Sequence, residues 1–136
     1  MKISDIAFVN HVGIKEDNKI LSLDFNDNLL NHINTIHASA QFTLAETQSG
    51  LYLQSLFPEL EGKVLPVLRD AKIKYKKPAN KKIIAYISVN EDEIEKFKTL
   101  FEKKSRASIQ IDVEIKDIDG TLTTLASFTW FIQTIK

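Results

Sequence analysis

The hydrophobic patterning of this chain predicts an α+β fold: a curled antiparallel sheet of about five strands wrapped around one long, charge-poor helix. Three observations carry that expectation. Residues 29–57 hold a single full charge, Glu46, whereas a surface helix ordinarily has a charged face, so a helix here is wrapped by protein on most sides. The C-terminal residues alternate in polarity on either side of Asp119-Gly120, the signature of a long antiparallel ribbon with a tight two-residue turn. The element order is strand, long helix, two strands, short helix, two long strands, and a sheet facing one buried helix satisfies it.

The elements follow in order. Lys19 to Phe25 places Leu21, Leu23 and Phe25 at alternate positions, a half-buried strand that the polar cluster Asn26-Asp27-Asn28 ends. The long helix is expected over His37 to Leu56, with Thr35 as candidate N-cap and Pro58 marking its end. Asp70 to Lys76 puts Ala71, Ile73 and Tyr75 on one face and Lys72, Lys74 and Lys76 on the other. Pro78-Ala79-Asn80 reads as a turn into Lys82 to Val89, an antiparallel partner strand. Asn90 caps a surface helix over Glu91 to Lys104, with Ile94, Phe97, Leu100 and Phe101 at helical spacing, acids first and lysines last. Ile109, Ile111, Val113 and Ile115 line one face of the next strand, and the last strand runs Thr121 to Ile135.

The 136 residues fit a single domain over 1–136. With 43% hydrophobic and 26% charged residues the composition is that of an ordinary globular protein. No Cys is present, which excludes disulfides and thiolate metal sites and suits a cytoplasmic location. Asp5 interrupts the apolar start before a signal-peptide core forms, and the charge-poor stretch is too rich in Asn, Gln, Ser and Thr to span a bilayer. Basic and acidic residues balance at 18 each, so nothing global points to nucleic acid. No His-rich spacing indicates a metal, and no cofactor is called for.

The informative segment is Asn31-His32-Ile33-Asn34-Thr35-Ile36-His37-Ala38-Ser39-Ala40-Gln41-Phe42-Thr43-Leu44-Ala45-Glu46. It resembles the motif of hotdog-fold thioesterases of the phenylacetate-pathway (PaaI-like) type: an Asn, a His six residues on, two small residues, and an acid nine residues after the His. Asn31, His37, Ala38-Ser39 and Glu46 occupy those places. It is closer still to a branch of that superfamily with His-Ala and Ala-Glu in place of His-Gly and Ala-Asp. The resemblance implies a hotdog fold, acyl-CoA thioester hydrolysis without a cofactor, and a homodimer or homotetramer with its active site at the subunit interface.

The chemistry has an independent rationale. Thioester hydrolysis needs a carboxylate in a partly dry pocket, as general base or nucleophile, and Glu46 is the candidate. Free N–H groups at a helix start can hold a developing oxyanion, here those of Ala38 and Ser39, whose side chains add bulk where the resembling enzymes have Gly. His37 is a candidate to bond the carbonyl and Asn31 to orient water, with capping and turn formation as their plain structural alternatives. At about 100° per residue, nine residues set His37 and Glu46 on opposite faces, so antiparallel helices of two subunits would bring a helix start to a Glu46. Phe42 and Gly50 share the Glu46 face and are candidates for acyl contact. Lys63, Arg69, Lys72, Lys74, Lys76, Lys77, Lys81 and Lys82 gather with Asp70 as the single acid. This is either a solvated face or an attraction for coenzyme A phosphates, with Lys76 and Lys77 the best placed. A non-catalytic module binding acyl-CoA or a protein partner is the competing reading. A dehydratase is disfavoured because no His-Phe-Pro or Asn-Pro-x-His stretch is present.

Overall fold

The computed structural model describes residues 2–135, in which the helices and strands run α1 (Ala7–Val12), β1 (Lys15–Asp17), β2 (Ile20–Leu23), α2 (Ala38–Leu56), β3 (Val64–Tyr75), β4 (Ile83–Ser88), α3 (Glu91–Lys104), β5 (Arg106–Asp117) and β6 (Leu122–Thr134). The strands form one antiparallel sheet in the order β1-β2-β4-β5-β6-β3. It curls around α2 in the hotdog arrangement. The sixth strand is β1, three exposed residues paired to β2, too short and too polar to show a period.

The core lies between α2 and the concave face of the sheet. Ile109, Ile111, Val113 and Ile115 of β5 and Ala126, Phe128 and Ile132 of β6 are buried against Ala40, Leu44, Ala45 and Leu53 of α2. Polar residues of α2 are buried with them and are satisfied. A register shift near Lys116 gives β6 an extra residue, so Thr123 and Thr124 are both buried, and their hydroxyls donate to Gln41 Oε1 at 3.0 and 2.5 Å. This is how a helix without a charged face is accommodated: its amides take up polar groups that the curved sheet turns inward.

Gln48 does the same at the other end of the sheet. β2 pairs with β4 over just two positions, Ser22↔Ile84 and Leu23↔Ile83. Where β2 peels away, Gln48 Oε1 accepts the Leu21 N–H at 2.8 Å and Nε2 donates to the Lys19 carbonyl at 3.0 Å. Replacing it by Leu keeps the volume and strands both backbone groups. Gln48→Leu is expected to lower the unfolding free energy by ~1–3 kcal/mol, the cost of an unsatisfied buried group. The measurement is a lower urea midpoint at unchanged m-value; an unmoved midpoint would show that the bridge carries no stability.

The strand over Asp70 to Lys76 is longer than its alternation revealed. β3 begins at Val64 and carries a register shift at Arg69, so the partly buried residues change parity, from Val64 and Leu68 before it to Ile73 after it. It also contains Pro66, which a strand tolerates at a sheet edge. The pairing expected between this strand and Lys82 to Val89 is not formed: β3 pairs with β6, and β4 lies between β2 and β5. Pro78-Ala79-Asn80 is therefore a crossing link, not a hairpin turn. It bridges three strand spacings, about 14 Å, and is pinned by buried Ala79, whose carbonyl accepts the Ile36 N–H at 2.7 Å.

The β5–β6 ribbon forms as read, with a three-residue loop, Ile118–Gly120, in place of a two-residue turn. Asp117 N–H donates to the Thr121 carbonyl, Asp117 Oδ1 accepts from Asp119 and Thr121 N–H, and Gly120 supplies the left-handed φ of +85°. On α3 the Asn90 side chain accepts the Glu93 N–H, the acids sit in the first turn and Lys103 and Lys104 in the last. Ile94 and Phe97 are buried, with Leu100 and Phe101 packed beside them.

Candidate active site

The helix start is built by its preceding loop. Asn31 Oδ1 accepts the N–H groups of Ile33 and Thr35, both at 3.0 Å, and Nδ2 donates to the Thr35 hydroxyl at 2.9 Å. Both ends of the Asn31 amide are thus engaged within its own turn, which Asn34 completes at φ 62°. With its hydroxyl taken up there, Thr35 is not the helix cap. The cap is His37, whose Nδ1 accepts the Ser39 N–H at 3.0 Å, with the Ser39 hydroxyl 2.6 Å from the same nitrogen. His37 and Ser39 are exposed, and the Ala38 N–H opens the helix with no intrahelical acceptor. The Tyr75 hydroxyl donates to the Ala38 carbonyl at 3.2 Å. The exposed Lys76 and Lys77, which follow Tyr75, therefore stand at the helix-start end.

Glu46 lies about 13 Å further along the axis, at 1.5 Å per residue from His37. Its carboxyl is half-buried and makes no hydrogen bond or ion pair among the described residues. Burial raises its pKa above the ordinary 4.5, because a low-dielectric setting disfavours the charged form. It borders a cavity of about 580 Å³ whose walls are mostly apolar, among them Ile6, Val9, Leu53, Phe57, Val64 and Trp130. Thr43 and Thr47 also line it, but their hydroxyls donate back to helix carbonyls at 2.8 and 2.6 Å.

Gly50 lines the same cavity and fixes one wall. A Cβ there would meet the Trp130 indole at 3.3 Å. The indole Nε1–H donates to the Ser49 hydroxyl, which donates to the Glu46 carbonyl. Phe42 does not border the cavity; its ring packs edge-on against Phe128 at 5.5 Å. The sequence pattern marks no element over residues 7–14, yet Ile6, Phe8 and Val9 form part of the cavity wall. Six helical residues are too few to declare a period.

The chain thus gathers Asn31, His37, Ala38, Ser39, Lys76 and Lys77 at one end of α2 and holds Glu46 and Gly50 midway along it. None of the first group borders the cavity. Of the basic cluster, Lys63, Lys72, Lys74, Lys76 and Lys77 form no ion pair among the described residues. Lys81 pairs with Asp119, Lys82 lies 4.0 Å from Asp24, and Arg69 stacks 4.0 Å from the Phe131 ring. Among the described residues no group of His, Asp and Glu is placed to hold a metal ion, and no helix is long and apolar enough to cross a membrane.

The raised pKa of Glu46 makes a stability prediction. The folded state holds this proton more tightly than the unfolded chain, so the contribution is full below the unfolded value. It is lost as pH rises through the higher folded value. Glu46→Gln, which stays neutral, is expected to raise Tm at pH 7 and to lose that advantage below pH 4.5. A variant less stable than wild type at pH 7 would contradict the desolvation.

A single central helix inside a curled antiparallel sheet gives the chain the hotdog fold. It belongs to the family described as domain of unknown function (DUF4442), whose profile matches residues 9–132. No curated protein matches it. Among solved structures it is similar to a protein of unknown function from Chlorobaculum tepidum (TM-score 0.83, 18% identity, covering 98% of this chain and 90% of the other). It is also similar to a Bacillus halodurans protein solved with CoA (0.71, 19%, 92% and 74%) and to a thioesterase from Haemophilus influenzae (0.70, 13%, 97% and 86%). At these identities the likeness shows the fold.

Proposed function

We propose that the protein hydrolyses an acyl-CoA thioester to the free acid and coenzyme A, at a site shared by two subunits. The observation that carries this reading is Glu46: the one charge of α2, half-buried, without a counter-ion among the described residues, at the wall of an apolar cavity. Glu46 takes a proton from water, and the water oxygen attacks the thioester carbonyl. The oxyanion is held by the amides at the start of the partner's α2, Ala38 first. The C–S bond then breaks, and the proton on Glu46 passes to the departing thiolate. Direct attack by the carboxylate, followed by hydrolysis of the anhydride, uses the same groups.

The separation of Glu46 from the helix start within one chain favours the shared site, since antiparallel α2 helices would bring the two together. β3 offers a surface for such pairing: it is a sheet edge bonded to β6 alone, with Leu65 and Val67 exposed. His37 contributes a ring nitrogen at the helix start, Asn31 shapes the loop, and Lys76 and Lys77 sit where CoA phosphates would be attracted. The spacing of Asn31, His37, Ala38-Ser39 and Glu46 supports a place near the phenylacetate-pathway branch, and the CoA-bound and thioesterase neighbours support the substrate class.

The test is thiol release from acetyl-, octanoyl-, palmitoyl- and phenylacetyl-CoA. Turnover of at least one is expected, with kcat/KM rising with pH as a single group ionises, its midpoint above 4.5 because burial raises Glu46. No release from any of them rejects the reading. One observation favours a binding module instead: the Ser39 N–H is already bonded to His37 Nδ1, leaving fewer donors for an oxyanion. Tight acyl-CoA binding without turnover would be its result.

A further inference from the structure

The cavity beside Glu46 is not the only one that α2 borders. A second, of about 230 Å³, opens where β2 peels away from β4 and is lined by Ile20, Gln48, Tyr52, Ser55, Tyr86 and Ile87 among others. Among the described residues Leu51 alone lines both cavities. Helix geometry explains why. Residues four apart advance about 40° around the axis. Along the ridge Thr47, Leu51, Ser55, the first faces the Glu46 cavity, the last faces the second cavity, and Leu51 stands between.

Among the described residues no Lys, Arg or His lines the larger cavity, and the Glu46 carboxylate at its wall opposes a second negative charge. An acyl group ending in a carboxylate is therefore disfavoured. A flexible apolar chain fills such walls at a gain in free energy for every methylene withdrawn from water.

We propose that the acyl group is a straight aliphatic chain lying along the larger cavity from Glu46. In this proposal Leu51 is the specificity-determining residue, ending the chain by closing the way to the space between β2 and β4. This rests on the thioesterase reading, and its test separates the two.

Thiol release is measured for saturated acyl-CoAs from acetyl to stearoyl and for phenylacetyl-CoA, on wild type, Leu51→Ala and Leu51→Phe. In parallel, saturated fatty acids of the same lengths, as their neutral primary amides, are titrated against the fluorescence of Trp130, the single Trp of the chain and part of the cavity wall. Circular dichroism and Tm establish that each variant is folded, with Leu51→Met as a further variant of matched volume. In wild type, kcat/KM and fatty-amide affinity should rise roughly fourfold per methylene to a length limit and then stop rising. Leu51→Ala should extend that limit by about two to four carbons, the reach of the atoms removed, and Leu51→Phe should shorten it. If no thioester is cleaved but the fatty-amide limit moves with residue 51, hydrolysis is rejected and the chain-length wall stands. A limit at the same length in folded wild type and both variants overturns the role of Leu51, whatever the hydrolysis result. Preference for phenylacetyl-CoA, or no fatty-amide binding at any length, overturns the aliphatic assignment.

Discussion

Glu46→Gln is expected to lower kcat/KM for the best thioester by ~10²–10⁴-fold, the range a positioned general base supplies. The amide is nearly isosteric and neutral, so the helix and the Gly50–Trp130 wall remain in place, and the variant unfolds no earlier than wild type at pH 7. Loss of turnover in a protein that is more stable separates a chemical role from a packing role, because a packing residue loses stability when replaced. Acyl-CoA affinity should be little changed, since in the proposed site the removed charge would face the reacting carbonyl and not the CoA phosphates. If Glu46→Gln keeps more than a tenth of wild-type kcat/KM, the carboxylate is not the base.

Ala38→Pro is the complementary lesion. Proline is well tolerated at the first helical position, and it deletes the N–H that would hold the oxyanion, a loss of roughly 10²–10³-fold in kcat. Mixed with Glu46→Gln under subunit exchange, the two dead proteins should regain about a quarter of wild-type activity. Half of the dimers are then mixed, and in a two-fold arrangement each of these has one site with both Glu46 and an intact partner helix start. A site confined to one chain predicts no recovery. Native mass spectrometry of differently labelled subunits establishes that mixed dimers form, so an absence of recovery has one meaning.

Much of this architecture was legible because polarity reported burial directly. The missing charges of residues 29–57 marked the enclosed helix, and the unbroken alternation of Ile109 to Ile115 marked the ribbon. Legibility failed where a local irregularity broke the period. Pro66 and the extra residue at Arg69 hid the first half of β3, because a bulge reverses which parity faces inward. The link at Pro78-Ala79-Asn80 reads as a hairpin turn by composition, and only the long-range bond from Ile36 to Ala79 shows that it crosses instead. For the site, spacing placed Glu46 and His37 on opposite faces of α2. It could not distinguish Thr35 from His37 as the cap, because that choice depends on Asn31 occupying the Thr35 hydroxyl. The cavity wall was invisible for a different reason: it is assembled from the chain's beginning, the middle of α2 and the end of β6, which no local pattern joins.

The sheltered acid sets a direction for laboratory evolution. Most routes to a more heat-resistant protein are open to any sequence, but here one of the simplest is to neutralise position 46. A library ranked on thermal survival alone should accumulate Gln, Met or Leu there and drift toward well-behaved, inert proteins. Ranking on survival and product formation together would hold the acid in place and push improvement into the edge strand and loops.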